Sequence, residues 1–389
     1  MREIYVSGQR REIAVTEDGK LVEYLRDDPR EQSTEAVYLG RVERVVPGMR
    51  AAFVDIGQEK NGFLPLEEKN LPEGGKLQSG MAVLVQVKKE AQGSKGAFLS
   101  RDITLCGEYA LVMPLNHMIG VSSRITGEKE RQGLHALGEA ICENRFGIVM
   151  RAAALEAPEE AIREEAARLM DEWEAIRNAA PTAHVPSLIH GARSPLMSLI
   201  DDYRPRGIDR IHTDDPELAK ALETIAPVTR SEGDPIATMG LERQRDKALE
   251  RRVWLDSGGT LIIDPCEAMT VIDVNTAKFT GKRQLEETIL KLNLEACGEI
   301  ARQVRLRNVS GIILIDMIDM EEEASRQRVL AALEEAFASD RVKTVIHGFT
   351  SLGLIEMTRK RSRRPLRDDW TTPCPACHGK GYVKEEDHG

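Results

Sequence analysis

Hydrophobic and polar positions alternate through the first 30 residues, and EIAVTEDGKLVEYL predicts a β-hairpin turning at Asp18-Gly19. The charged, turn-rich stretch RDDPREQSTE then reads as a seam between domains. From Ala36 to Ile103 the short runs VYLGRVERVV, AAFVDIG, NGFLPL, AVLVQVKKE and KGAFLS, divided by glycine turns, predict a small β-barrel. Phe53 and Phe63 fall on strands that one such turn brings side by side. Residues 104–182 contain the strand-like GIVMRAAA and a helix over EEAIREEAARLMDEWEAIRNAA, which Pro181 ends. Residues 183–248 read as mixed helices and strands.

The pattern sharpens after Arg251. GTLIIDPCEAMTVIDVNTA holds two β-runs, Thr260 to Ile263 and Met269 to Val274, joined by a proline turn as a hairpin. Leu285, Ile289, Leu292, Ala296, Ile300 and Val304 follow at helical spacing. The run GIILIDMIDM after Asn308 has the unbroken apolar character of a strand buried on both faces. Strand, helix and strand make a crossover unit with parallel strands whose carboxyl ends share one edge. Asp273 and Asp316, 43 positions apart in the chain, therefore converge on one crevice.

A carboxylate at the end of an apolar strand costs roughly several kcal/mol unless it is hydrated, paired or bound to a cation. A hard divalent ion answers that need, because Mg²⁺ takes one or two protein carboxylates and fills its remaining positions with water and phosphate oxygens. Asn275, on the same face of the extended segment as Asp273, can hold a water or a phosphate. The implied chemistry is metal-assisted attack of water on a phosphodiester. The plainer alternative is that these acids cap helices or pair with nearby arginines. Asp319 and Glu321 to Glu323 are expected to serve the N-terminus of the next helix.

Composition narrows the setting. A formal charge of −10 argues against coating nucleic acid by bulk electrostatics, so local basic clusters must do that work. The densest is Arg359, Lys360, Arg361, Arg363 and Arg364, either a solvated loop or a phosphate contact. No apolar run reaches the ~20 residues of a membrane span and no secretory leader is evident, so no membrane partner and a cytoplasmic location are expected. Cys106, Cys142, Cys266 and Cys297 are scattered through apolar or helical patterns, as buried thiols are. Cys374 and Cys377 form C-P-A-C, the tight-turn spacing of half a tetrahedral zinc site. A second copy of the chain is the simplest source of the other half. His378 is either a further ligand or a surface imidazole, and a redox pair is the rival reading of the cysteines.

VIDVNTAKFTG, NLEACGEIARQVRLRNVSGIILIDMIDM, LGLIEMTRKR, CPACHGKG and, upstream, VYLGRVERVVPGMRAAFVDIGQEKNGFLPL resemble the ribonuclease E/G family over nearly the whole chain. The resemblance implies an α/β multi-subdomain fold. Residues 1–35 and 183–248 would form a ribonuclease-H-like scaffold, 36–103 an inserted S1-type OB-fold barrel and 104–182 a 5′-sensor region. Residues 249–370 would form a deoxyribonuclease-I-like catalytic subdomain, and 371–389 a zinc-link. It also implies a Mg²⁺-dependent endoribonuclease that cuts single-stranded, AU-rich RNA, in processing or decay, leaving 5′-phosphate and 3′-hydroxyl ends. Asp273 and Asp316 match the family's Mg²⁺ carboxylates and Asn275 its third catalytic position.

Phe53, Phe63, Lys89 and Lys95 match its RNA contacts, although on burial preference alone either phenylalanine would sit in a core. Arg151 matches its arginine for the 5′-phosphate. There the chain departs, with Ala152 in place of a threonine and Lys343 in place of a supporting arginine, so 5′-end sensing should be weaker or differently arranged. The family links two protomers through a shared Zn²⁺, implying a homodimer held by Cys374 and Cys377 of each copy. Because the chain ends at Gly389, the family's small dimerising domain is expected to be missing. A non-catalytic RNA-binding or assembly protein, and a zinc-held dimer without RNA affinity, stay open as alternatives.

Overall fold

A computed structural model describes residues 1–26, 34–66, 77–91, 95–191, 194–276, 285–377 and 381. Most of the RDDPREQSTE seam, His378 and most of the stretch after Cys377 lie outside the described residues. The chain divides into two compact units, one of residues 1–27 with 206–389 and one of residues 28–205.

In the first unit, strands from the start of the sequence and from its middle make a five-stranded sheet. Its order is Val228–Arg230, Arg210–Thr213, Arg2–Ser7, Glu12–Glu17 and Lys20–Arg26. The hairpin turns where predicted: Asp18 and Gly19 both take positive φ, 50° and 75°, the left-handed pair that a two-residue connection between twisted strands demands.

The second sheet of this unit has six strands, in the order Arg252–Trp254, Thr260–Pro265, Met269–Asn275, Gly311–Asp316, Ile355–Arg359 and Thr344–Phe349. Met269–Asn275 and Gly311–Asp316 run parallel, as the strand–helix–strand reading requires. The helices Leu285–Leu306 and Glu323–Phe337 supply Leu292, Ala296, Ile300, Val329 and Leu333 to a core shared with Ile272, Val274, Ile313, Ile315 and Met357.

The opposite face corrects the expectation of burial on both sides. Ile312 is 47% exposed and Leu314 half-buried, while Ile313 and Ile315 are buried. Among the described residues the sheet is covered by helices on one side only, and the apolar run hides an ordinary in–out alternation.

The basic run before Pro365 is partly structural, while Lys360, Arg361 and Arg364 stay exposed. Arg359 is buried and donates to Asp340 at 2.7 Å and to the Asn308 side chain at 3.0 Å. Arg363 pairs with Glu23 at 3.2 Å, and Glu23 also holds Arg341 at 2.9 Å. These ion pairs join the five-stranded sheet to the helix-covered one. Burial pushes the Arg363 guanidinium below its ordinary range.

In the second unit the strands Val37–Val46, Ala51–Asp55, Gly62–Pro65, Phe98–Ser100 and Ala82–Lys89 close into a barrel, because Val37–Val46 also pairs with Ala82–Lys89. Ser187–His190 adds to the outside of Val37–Val46, so this piece of the 183–248 stretch lies in the barrel's unit. Beside the barrel a four-stranded sheet packs against the helices Glu128–Cys142 and Glu159–Ala179. Buried Glu165 accepts the backbone N–H groups of Glu108, Tyr109 and Ala110 at 2.7–2.9 Å. Gly107 permits that contact, since a Cβ there would stand 2.1 Å from the carboxylate.

Cys142 and Cys297 are buried, and burial raises their thiols to about 11 and about 12. Cys266, in contrast, is exposed in the turn after Pro265.

Candidate functional site

Asp273 and Asp316 are direct register partners on adjacent parallel strands. Opposed residues project from the same face of a sheet, and both carboxylates stand on the face that the helices leave open. The Asn275 amide donates to Asp273 Oδ2 at 2.7 Å, which orients that carboxylate and leaves the amide a second N–H and a carbonyl oxygen.

The Asp316 carboxyl is held above its ordinary range by desolvation, then by the negative charges of Asp273 and Asp319. Asp319 thus acts electrically on this site, and it lies three residues before Glu322, where the next helix begins. At that helix, Glu323 alone of the three glutamates lies within the first turn, with Glu322 as its N-cap.

No ion pair to Asp273, Asp316 or Asp319 exists among the described residues. Nearby Arg251 interacts with Asp273 through space, but its guanidinium is engaged by Asp264 through Nε and Nη2. Two adjacent carboxylates and an amide oxygen, with surplus negative charge and open access, fit a hard divalent cation. Among the described residues no cluster of three or more His, Cys, Asp or Glu gathers as a complete metal cage. A two-carboxylate Mg²⁺ site needs none.

A residue that the sequence reading passed over steadies the loop beyond Asp316. The side chain of Asn293, fully buried on the Leu285–Leu306 helix, donates to the Ile318 carbonyl at 2.9 Å and accepts its N–H at 3.2 Å. A lone asparagine inside a helical apolar pattern was the available signal.

On the barrel, Arg44, Phe53, Phe63, Phe98 and Lys89 lie in one register row across its five strands. Phe53 meets Phe63 edge-on at 6.1 Å, and Phe63 stacks on Phe98 at 5.8 Å. Arg44 and Lys89 cap the row, 5.4 Å and 5.7 Å from the outer rings. The rings face outward, so the core placement that burial preference alone suggests does not hold. Phe98 and Arg44 were missed. KGAFLS contained the clue, because Ala97 and Leu99 point into the barrel and alternation must turn Phe98 out. Lys95 is exposed just before this strand and makes no ring contact among the described residues.

Arg151 sits at the end of the Gly147–Met150 strand. Its guanidinium donates to the Gly107 carbonyl and stands 3.9 Å from Asp201. A phosphate there would compete with that carboxylate. Ala152 opens a short 3-10 turn, Ala152–Leu155, and brings no hydroxyl. Lys343 belongs to the other unit, where it is exposed and its carbonyl accepts the Lys360 N–H at 2.9 Å.

Cys374 and Cys377 flank a tight turn, with Cys374 exposed. The backbone N–H groups of Cys377 and Ala376 aim at the Cys374 sulfur and, with the Cys377 thiol, lower its pKa.

The ribonuclease E/G family profile matches residues 104–362. The chain belongs to the ribonuclease E/G family. It is 40% identical to Ribonuclease G of Haemophilus influenzae, over 96% of this chain and 82% of that protein. To Ribonuclease G of Escherichia coli K12 it is 39% identical over the same shares. To Ribonuclease E of a Nostoc strain it is 38% identical, over 89% of this chain and 54% of that protein. The family profile thus takes in both carboxylates, Asn275 and Arg151 but not the barrel, which the alignments to whole relatives include.

No helix among the described residues is long and apolar enough to cross a membrane.

Proposed function

We propose that this chain is an endoribonuclease that hydrolyses single-stranded RNA with the help of Mg²⁺, leaving 5′-phosphate and 3′-hydroxyl ends. The observation that carries this reading is the register pair of carboxylates, Asp273 beside Asp316, on the open face of a sheet with no cationic partner among the described residues. Asp273 and Asp316 would hold the ion between them, with Asn275 fixing the Asp273 carboxylate and offering its remaining amide groups to a water or a phosphate oxygen. When bound, the ion supplies Lewis-acid stabilisation of the charge that develops at phosphorus.

The row Arg44, Phe53, Phe63, Phe98 and Lys89 supplies stacking surfaces closed by two cations, an arrangement suited to unpaired bases of any identity, AU-rich segments included. Lys95 adds a phosphate contact near it. Arg151 would bind a terminal 5′-phosphate. With Ala152 beside it and Asp201 opposing it, that preference should be shallow, and Lys343 can offer charge but no planar fork. Cys374 and Cys377 would bind Zn²⁺ jointly with the same pair of a second copy, giving a homodimer in the cytoplasm.

Cleavage of a short 5′-monophosphorylated oligonucleotide in Mg²⁺ tests the central claim. Wild-type protein should cut it and Asp273→Asn should not; a variant that cuts at the wild-type rate would end the assignment. Native mass with and without a chelator reads the zinc link directly, and a mass that ignores the chelator rejects it.

A further inference from the structure

We propose that Trp254 and Arg252 form a nucleobase platform on the open face of the six-stranded sheet, where Trp254 stacks a base beside the phosphodiester held at Asp273 and Asp316. The inference rests on the nuclease reading above and adds a binding position to it. The edge strand Arg252–Trp254 pairs with Thr260–Pro265, placing Trp254 opposite Thr260 and Arg252 opposite Ile262. On the next strand Thr260 faces Asn275 and Ile262 faces Asp273. Trp254, Thr260 and Asn275 are therefore one row, and Arg252, Ile262, Asp273 and Asp316 the row beside it, all on one face.

Two strand spacings separate Trp254 from Asn275, about 10 Å. Thr260 between them is small, so the floor from the indole to the amide stays low.

Exposure strengthens the case. Trp254 is 67% exposed although its neighbours Val253 and Leu255 are buried in the core. Tryptophan is among the most buried residue types on average, and an indole left in water beside a site for a single-stranded polymer has the shape and chemistry of a stacking surface. The Arg252 guanidinium lies 5.9 Å from the ring centroid and has no ion pair among the described residues, so its charge is available to the phosphate that follows the stacked base.

A short edge strand ending in an exposed tryptophan could also be covered by a second copy of the chain, an outcome the experiment separates.

The full chain has three tryptophans, of which Trp173 is buried and Trp370 half-buried, so quenching by solutes reports mainly on Trp254. A ten-nucleotide single-stranded RNA with a cleavage-resistant backbone, titrated in Mg²⁺, should quench this emission saturably and protect it from acrylamide. A duplex of the same sequence should not. In Mg²⁺, Trp254→Leu should raise KM roughly 5- to 150-fold, the loss of one base stack, with kcat changed far less. Trp254→Phe should recover most of the loss, and Arg252→Gln should flatten the salt dependence of binding by about one counterion. Unchanged KM in Trp254→Leu, or no quenching, overturns the platform while leaving the nuclease intact if Asp273→Asn is still dead. A change of native mass in Trp254→Leu at unchanged KM assigns the surface to a second copy, and also overturns it. Absence of cleavage by the wild type under any divalent ion would instead remove the nuclease reading, and the quenching titration would still report on RNA at Trp254.

Discussion

Replacing Asp316 with asparagine should make the metal-free protein more stable while removing its response to Mg²⁺. The two carboxylates extend from register partners on adjacent strands, with Asp319 adding a third negative charge. Charges about 5 Å apart repel by roughly 0.8 kcal/mol in water and about four times that in a partly shielded setting. Because Asp316 is exposed, the watery figure is nearer, and relief of about 1 kcal/mol is the working value. For a compact unit of this size that is a rise in melting temperature of about 2–4 °C.

The pH dependence has a definite sign. The Asp316 carboxyl is raised in the folded protein, so the folded state takes up its proton at a higher pH than the unfolded chain does. The penalty is therefore fully present at neutral pH, and shrinks as pH falls through the raised folded value toward the ordinary carboxylate range. Thermal melts in EDTA at pH 7 should place Asp316→Asn above wild type, with the two curves meeting on acidification. Adding Mg²⁺ should raise wild type, by an amount that grows with the ratio of free ion to dissociation constant, and leave the variant where it was. A variant that melts lower in EDTA, or that gains as much from Mg²⁺ as wild type, would refute the idea that uncompensated carboxylates meet at this point.

Three other outcomes follow from particular contacts. Phe63 touches aromatic rings on both sides, so Phe63→Ala should weaken binding of a labelled single-stranded oligonucleotide by about 1–3 kcal/mol in fluorescence anisotropy. An affinity equal to wild type would remove the row from RNA recognition. Arg359→Met strands buried Asp340 and should cost about 3–5 kcal/mol in urea denaturation, with a loss below ~1 kcal/mol contradicting the buried pair. Glu165→Ala leaves three backbone donors without their acceptor, and should destabilise by about 2–4 kcal/mol on the same measurement. An unchanged midpoint would mean that those N–H groups find other partners.

Patterns that depend on chain neighbours were legible in the sequence. The hairpin at Asp18-Gly19, the barrel strands, the long helices and the parallel pairing of the two aspartate strands all follow from spacing, because period and turn chemistry are local. What escaped depended on partners far away in the chain. Arg359 reads like its neighbours Lys360 and Arg361, and only Asp340 and Asn308, brought to it by the fold, turn it into buried structure. Asp319 looks like helix-start charge until the loop held by Asn293 presents it to Asp316.

GIILID is apolar at every position up to Asp316, so its alternation cannot be seen in residue type, and burial on both faces was the natural inference. The helices cover only Ile313 and Ile315, and leave Ile312, Leu314 and Asp316 on the other side. A sheet face that is apolar in its middle, acidic at the strand ends and bordered by an exposed tryptophan is costly to leave facing water. Its apolar floor, its carboxylates and its aromatic border are three different demands, and a single-stranded nucleotide with a metal ion at its phosphate meets all three at once. A protein partner would satisfy the floor and the tryptophan but leave adjacent carboxylates to be buried without a cation, at a cost of several kcal/mol or so.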